Sequence, residues 1–513
     1  MALRRPPIDV MSGPETASPP APGGGMVAAL LWYAAALAAC LAVLAVNREP
    51  LFYFDTFGYL SKGYKSLAML GFGLPQAGGG GAGGGGGGAR AVADVDGTHS
   101  VVYSLLLALL ARARLLEGMV LVNAGLVLVT GWLVARVLRR DYALSLPLPM
   151  LVALPVIAAA TTALPFYVAY IMPDIFTPVL IVMIALLSVF VHRMHRGEIV
   201  LALGLGWVAA LAHLSHPGIA LLMVPLSALA ALLVSRRRWW VAPLLVASFV
   251  AVPLAEKEAF KVSVETVSRA EVSYKPFLTA RLIQDGPGFD YLAAHCPDPA
   301  IATCALWRAL QGSDDPYRLT ASHIIFERSA QLGSFLHMTP EEQRRVSAEQ
   351  FDFFFKVLAD RPFATTLAFI RNALLQARMV EIDMTLPGKG TREKMADWNQ
   401  MVPESPVALG RLSPEGAWQG GLERLHLAVY GLSALLLVGG ALGIGGLPVP
   451  VRLLLALVLA GILANALVCG GVSQPATRYG ARVAWLLPQF AALMLLVRLG
   501  LPAGRRRAAG TAG

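Results

Sequence analysis

Charged side chains are scarce in this chain, and those that adjoin apolar runs are the ones placed to do chemistry. Asp55 follows the first long apolar run within Asn47-Arg-Glu-Pro-Leu-Phe-Tyr-Phe-Asp-Thr-Phe-Gly-Tyr59. Phe54, Phe57 and Tyr59 frame it, and aromatic rings favour the membrane–water boundary. A carboxylate so close to hydrocarbon is costly and points to function, as a general base or an ion partner. A solvated loop aspartate under an aromatic belt is the plainer reading. A second acid, Asp174, closes Pro165-Phe-Tyr-Val-Ala-Tyr-Ile-Met-Pro-Asp174; its plainer reading is an N-terminal helix cap. Cationic candidates for a phosphate are Arg478 and Arg482, since arginine offers paired donors to such oxygens. His213 and His216 are further candidates, and Arg478 could also be a snorkelling anchor. Tyr59, His99 and Tyr479 are further candidates for binding a substrate; Asp94, Asp96 and His99 precede another apolar stretch, and their plainer reading is that of solvated loop residues. Two carboxylates could instead hold a divalent cation, Mg or Mn, on a phosphate.

These groups need a scaffold, and composition sets its class. Hydrophobic residues make up 56% of the 513 and charged residues 14%, against about 25% charged in soluble domains. Several runs approach the ~20 residues that cross a bilayer. The chain is therefore expected to be an all-α polytopic membrane protein with about ten transmembrane helices. They fall roughly at 26–46, 118–138, 146–163, 174–191, 199–213, 217–234, 239–255, 422–443, 450–469 and 481–499. The short apolar stretch 101–113 reads as a helix lying against the membrane.

Basic clusters orient the bundle. Arg4 and Arg5, Arg136 to Arg140, His192 to Arg196, Arg236 to Arg238, Arg452, and Arg505 to Arg507 all fall on one side of a ten-span chain. Positive charge marks the cytoplasmic side, which places both termini there. The net charge of +10 is then a topological signal and requires no nucleic-acid partner. Asp55, Asp174, His213, His216 and Arg478 converge on the opposite, periplasmic side.

The domain reading follows. Residues 1–25 form a Ser/Pro/Gly-rich tail, expected to be disordered and cytoplasmic. An N-terminal membrane module spans 26–255, with a long first loop at 47–117 that contains a Gly tract at 78–88. Residues 256–420 form a periplasmic, mainly helical insertion; 421–500 carry the last helices and 501–513 a basic tail. No cleavable signal peptide is expected, so the first span acts as an uncleaved anchor. Within the insertion, Cys296 and Cys304 lie close in sequence, and an oxidising compartment would join them as a disulfide. Free thiols are the other reading, and a zinc site would need more ligands than His295 supplies.

The aspartate after the first span, the Tyr103-Ser-Leu-Leu-Leu-Ala-Leu-Leu110 segment, the acid opening the fourth span and the terminal Arg478-Tyr-x-x-Arg482-x-x-Trp485 together resemble the GT-C superfamily of integral-membrane glycosyltransferases. That superfamily includes protein mannosyltransferases and aminoarabinose transferases. The resemblance covers about residues 26–260 and, more weakly, 420–500. It implies transfer of a sugar from a polyprenyl-phosphate donor to a glycan, lipid or protein acceptor, usually with inversion. Asp55 takes the place of the catalytic first-loop acid and Asp174 that of the second acidic motif. Many relatives carry two adjacent acids in the first loop, where this chain has Thr56. Two other classes fit the same topology: a non-catalytic envelope assembly factor, and a transporter or flippase. A transporter would place charge near the bilayer midplane, whereas these polar groups collect at one face.

Overall fold

The computed structural model describes residues 22–69, 71–72, 95–269, 271–414 and 416–502. The terminal tails, the Gly tract and Asp94 lie outside the described residues, apart from the last residues of the N-terminal tail and the first two of the C-terminal one. The described chain is dominated by helix, and its sheet is one two-residue parallel pair, Val95–Asp96 with Val272–Ser273. That pair ties the first loop to the insertion.

Six helices are long and apolar enough to cross a membrane: Gly118–Tyr142, Pro173–Arg193, His216–Val234, Trp418–Ala441, Val449–Val472 and Thr477–Gly500. The other four expected spans are also helical but do not meet that measure among the described residues. The first is broken into Pro22–Cys40 and Ala42–Asn47. The third, Leu148–Ala160, has 13 residues and so reaches only ~20 Å at 1.5 Å per residue. The fifth, Arg196–Ala212, has 17 residues. The seventh runs on as Val241–Ser268, 28 residues, and its second half carries Glu256, Lys257, Glu258 and Lys261.

Pro173–Arg193 is the axis of the bundle. Every residue of Phe176–Phe190 is buried, as expected for a helix apolar on all sides. Arg196–Ala212, His216–Val234, Val449–Val472 and Gly118–Tyr142 pack around it. At its C-terminal end the basic residues find acids: Arg136 Nε lies 3.0 Å and Arg140 Nη1 2.7 Å from Glu198. Its N-terminal end carries Asp174, so this basic girdle and the candidate site sit at opposite ends of one helix.

The insertion is not uniform. Leu282, Leu292, Leu306, Ile324 and Phe353 form a core of its own. Pro340–Asp360 opens there with a capping box between Thr339 and Glu342. Cys296 and Cys304 are joined, with Cα atoms 5.6 Å apart, inside the range a disulfide requires. Farther on, Ile382, Leu386, Trp398 and Val407 belong to the core of the membrane bundle instead. Trp398 packs edge-on to Tyr64 of the first loop at 5.4 Å.

Candidate functional site

Two segments far apart in sequence are laced together at the N-terminal end of the axial helix. Leu51 bridges Tyr170 in parallel: the Leu51 amide donates to the Ala169 carbonyl and the Ile171 amide to the Leu51 carbonyl, each at 2.8 Å. Thr56 fixes the next turn, with its hydroxyl accepting from the Tyr53 amide at 3.1 Å and donating to the Ile171 carbonyl at 3.0 Å. Thr56 therefore performs a backbone task. Asn123, alone among apolar neighbours, donates to the Val168 and Tyr170 carbonyls at 3.1 and 3.3 Å. The result sets Asp55, in the first turn of Phe54–Met69, beside Asp174, in the first turn of the axial helix.

Arg478 and Arg482 lie one turn apart on Thr477–Ala484 and so share a face. Arg478 Nη1 donates to Asp55 Oδ2 at 3.2 Å. Its Nε lies 4.0 Å from Asp174 Oδ1. Its guanidinium stacks between the rings of Tyr53 and Tyr479, at 4.7 and 4.8 Å. Arg482 Nη1 donates to Asp174 Oδ1 at 3.2 Å, and its other nitrogens reach Asn465 Oδ1 (2.8 Å) and Ser215 Oγ (3.2 Å). Asp174 thus binds arginine, not its own helix terminus; it makes no capping hydrogen bond.

Burial separates the two acids. Asp174 and Arg482 are fully buried, whereas the Asp55 side chain keeps 33% of its surface in solvent. Asp174 Oδ2 and Arg478 Nε are buried without hydrogen-bond partners. Two carboxylates and two guanidiniums make the cluster neutral overall, which is how buried charge is tolerated. In this arrangement Asp55 occupies the outer face of Arg478, and the pair must part before an incoming anion can reach that guanidinium.

The histidines divide by role. His216 is fully buried with both ring nitrogens engaged: one lies 2.5 Å from the Ala209 carbonyl and the other 2.7 Å from Thr177 Oγ1. It braces the axial helix and has no nitrogen free for a ligand, which corrects the expectation that it meets a phosphate. His213 Nδ1 accepts from the Ser215 amide at 3.1 Å, and its ring lies 6.5 Å from Tyr479. His99 stands edge-on to Tyr59 at 4.6 Å, over Gly58, where an added Cβ would come within 2.8 Å of it. Burial pushes the His99 pKa below its ordinary value. Asp96 pairs with Lys275 of the insertion at 2.5 Å and takes no part in the cluster.

Among the described residues no three His, Cys, Asp or Glu side chains converge, and Asp55 and Asp174 each face an arginine.

Asn465, Ser215, Tyr53 and Thr177 complete the site and were not singled out from the sequence. Asn465 could have been: it is the one strongly polar side chain between Arg452 and the end of Val449–Val472, and such residues inside spans tend to be functional. No protein-family profile, curated protein or solved structure matches this chain.

Beside the site, Lys62 donates to the His99 carbonyl at 2.6 Å, and burial pushes its pKa down to about 8 from 10.5. Below about pH 8 both folded and unfolded chains hold this proton, so the penalty of burying the charge is fully present. Between about 8 and 10.5 only the unfolded chain holds it, and stability should climb with pH. The gap in melting temperature between wild type and Lys62→Met should therefore change across that window and level off above it. A constant gap from pH 7 to 10.5 would mean that Lys62 ionises as it does in water.

Proposed function

We propose that this protein is a membrane glycosyltransferase that moves a sugar from a polyprenyl-phosphate donor to an acceptor hydroxyl at the periplasmic face. The observation that carries the reading is the one-third-exposed Asp55 carboxylate held 3.2 Å from Arg478, at the end of a bundle of membrane-crossing helices. Such transfer needs a base for the acceptor and a cation for the leaving group within one sugar's width. Asp55 takes the proton from the acceptor hydroxyl as that oxygen forms its bond to the anomeric carbon. The bond from that carbon to the phosphate oxygen breaks, and Arg478 stabilises the negative charge left on the phosphate. Once the Asp55–Arg478 pair has parted to admit the sugar between them, attack from the face opposite the phosphate inverts the anomeric centre. Asp174 and Arg482 hold Arg478 in place from behind. The cytoplasmic termini and the external insertion belong to the same proposal and rest on the distribution of arginines; the bacterial inner membrane and the periplasm rest on the resemblance to GT-C enzymes.

A second reading has its own support. A neutral, mutually satisfied ion network is also what a non-catalytic scaffold would retain, and an envelope assembly factor built on this bundle would not need a free base.

The two separate in a strain lacking the gene. Loss of the transferase should leave a polyprenyl-phosphate sugar accumulating and one envelope glycan short of a residue, both read by mass spectrometry of lipid and glycan extracts. Unchanged lipid-linked sugars together with unchanged glycans would remove the transferase reading.

A further inference from the structure

The helix Pro362–Arg378, within the hydrophilic insertion, has its polarity reversed relative to a soluble helix. Its buried face is polar or small: Thr365, Ala368, Asn372 and Gln376. Its outward face is apolar, with Phe363 89% and Leu367 67% exposed and Ile370 and Leu374 exposed below them. Steps of four, three and four residues align these side chains in one stripe along the helix. The helix has no acidic residue, and its two arginines, Arg371 and Arg378, are exposed. On the preceding helix, Phe351 and Phe355 are exposed one turn apart. Soluble surfaces rarely carry contiguous apolar area on this scale.

The neighbours of the helix say what covers the stripe. Its inner face packs on the membrane-crossing helix Val449–Val472. There Gly470 admits the Asn372 backbone: an added Cβ would meet the Asn372 carbonyl at 2.5 Å. Gly471 lies under the Phe369 ring in the same way. The inward polar groups are satisfied within the protein. Asn372 donates to Asp285 at 2.6 Å, and the Gln376 amide exchanges two hydrogen bonds of 2.9 Å with the Ala476 backbone. The span beside it leaves Leu463 and Val472 exposed, so the stripe extends the apolar surface of a helix built to meet lipid.

We propose that Pro362–Arg378 is a membrane-embedded helix whose Phe363, Leu367, Ile370 and Leu374 contact lipid acyl chains. In hydrocarbon the polar side chains turn inward and the apolar ones outward, because lipid offers no hydrogen bonds. Its 17 residues extend ~25 Å, and Arg378, in the last turn, reaches the headgroups on its aliphatic stem. The lipid contact bears on the site as well. Gln376 clamps Ala476, which immediately precedes the helix that carries Arg478 and Arg482, so the bilayer helps to hold the register of that arginine pair.

Nitroxide labels at Leu367→Cys and Leu374→Cys test this in the full-length protein reconstituted into phosphatidylcholine–phosphatidylglycerol vesicles. Native Cys40 and Cys469 are buried and Cys296 is joined to Cys304, so the label goes to the introduced thiol. Leu463→Cys serves as the lipid-facing reference and Asp314→Cys as the aqueous one. Oxygen should relax the labels at 367, 374 and 463 more than a water-soluble nickel chelate does, and the order should reverse at 314. Nickel relaxing both test sites more than oxygen would overturn the proposal in favour of an aqueous surface. Immobilised labels with spin–spin broadening that disappears on dilution with unlabelled protein would overturn it in favour of a second copy. Both test positions are outward-facing and read independently, and Ile370→Cys replaces either variant that fails to purify. None of these outcomes depends on whether the protein transfers a sugar.

Discussion

Asp55→Asn should lower sugar transfer by about two to four orders of magnitude, the contribution of a positioned general base, while the protein still folds and inserts. The comparison of magnitudes makes this decisive. Asp55 pairs with Arg478 at 3.2 Å but remains one-third exposed, and a pair so placed is worth about 1 kcal/mol or less in stability. A loss of two to four decades corresponds to ~2.7–5.4 kcal/mol of transition-state stabilisation, which the missing ion pair cannot supply. Asparagine keeps the shape and one acceptor oxygen, so Arg478 still has a partner. Wild-type membranes supply the lipid-linked sugar pool, and transfer is followed at saturating acceptor to separate kcat from KM. Loss confined to KM would mean that Asp55 only positions the acceptor. Asp55→Asn near wild-type activity would end the general-base assignment, and Asp55→Glu with partial activity would support it.

The site residues were readable one by one because charge is rare beside apolar runs, so Asp55, Asp174, Arg478 and Arg482 stand out against their surroundings. Their pairing was not readable. It depends on the parallel bridge between Leu51 and Tyr170 and on how Thr477–Ala484 lies across the axial helix, and neither leaves a periodic signal. His216 shows the limit most plainly. A histidine at a helix start looks available, and only the packing of Thr177 and the Ala209 carbonyl against it reveals that both nitrogens are taken. Each of the ten expected spans falls on helix, but only six are long and apolar enough to cross a membrane among the described residues; Leu148–Ala160, for one, ends at a Thr-Thr turn before Pro165. Which face of the Pro362–Arg378 helix is buried was unreadable for a different reason. Periodicity reveals that a helix has two faces but not which one is inside, and a 17-residue amphipathic segment within a charged insertion reads as part of a soluble domain. Only the glycines of the adjoining span and the buried Asn372 and Gln376 give the orientation.

Asp174 and Arg482 carry the other large effect, and it should appear as lost stability. Both are fully buried, and removing one partner of such a pair costs about 3–5 kcal/mol because the remaining charge is stranded. The two single variants should not be equal. Asp174→Asn leaves Arg482 an amide oxygen as well as Asn465 Oδ1 and Ser215 Oγ to bond. Arg482→Met strands the Asp174 carboxylate and also takes the donors from Asn465 Oδ1 (2.8 Å) and Ser215 Oγ (3.2 Å), adding an unsatisfied-acceptor penalty of about 1–3 kcal/mol. Arg482→Met should therefore be the worse, seen as a lower melting temperature and less monodisperse protein in detergent. The double variant removes both charges and should recover much of the Asp174 part of that loss, because no charge is left alone. Recovery in the double variant is what distinguishes an ion pair from two independent core positions: strictly additive losses would mean that the two side chains do not meet in the folded protein. Transfer activity is informative only in variants that still fold. If Asp174→Asn folds and keeps Arg478 in place, its activity should fall far less than that of Asp55→Asn, because in the proposed mechanism Asp174 acts on the substrate through the arginines and not by taking its proton.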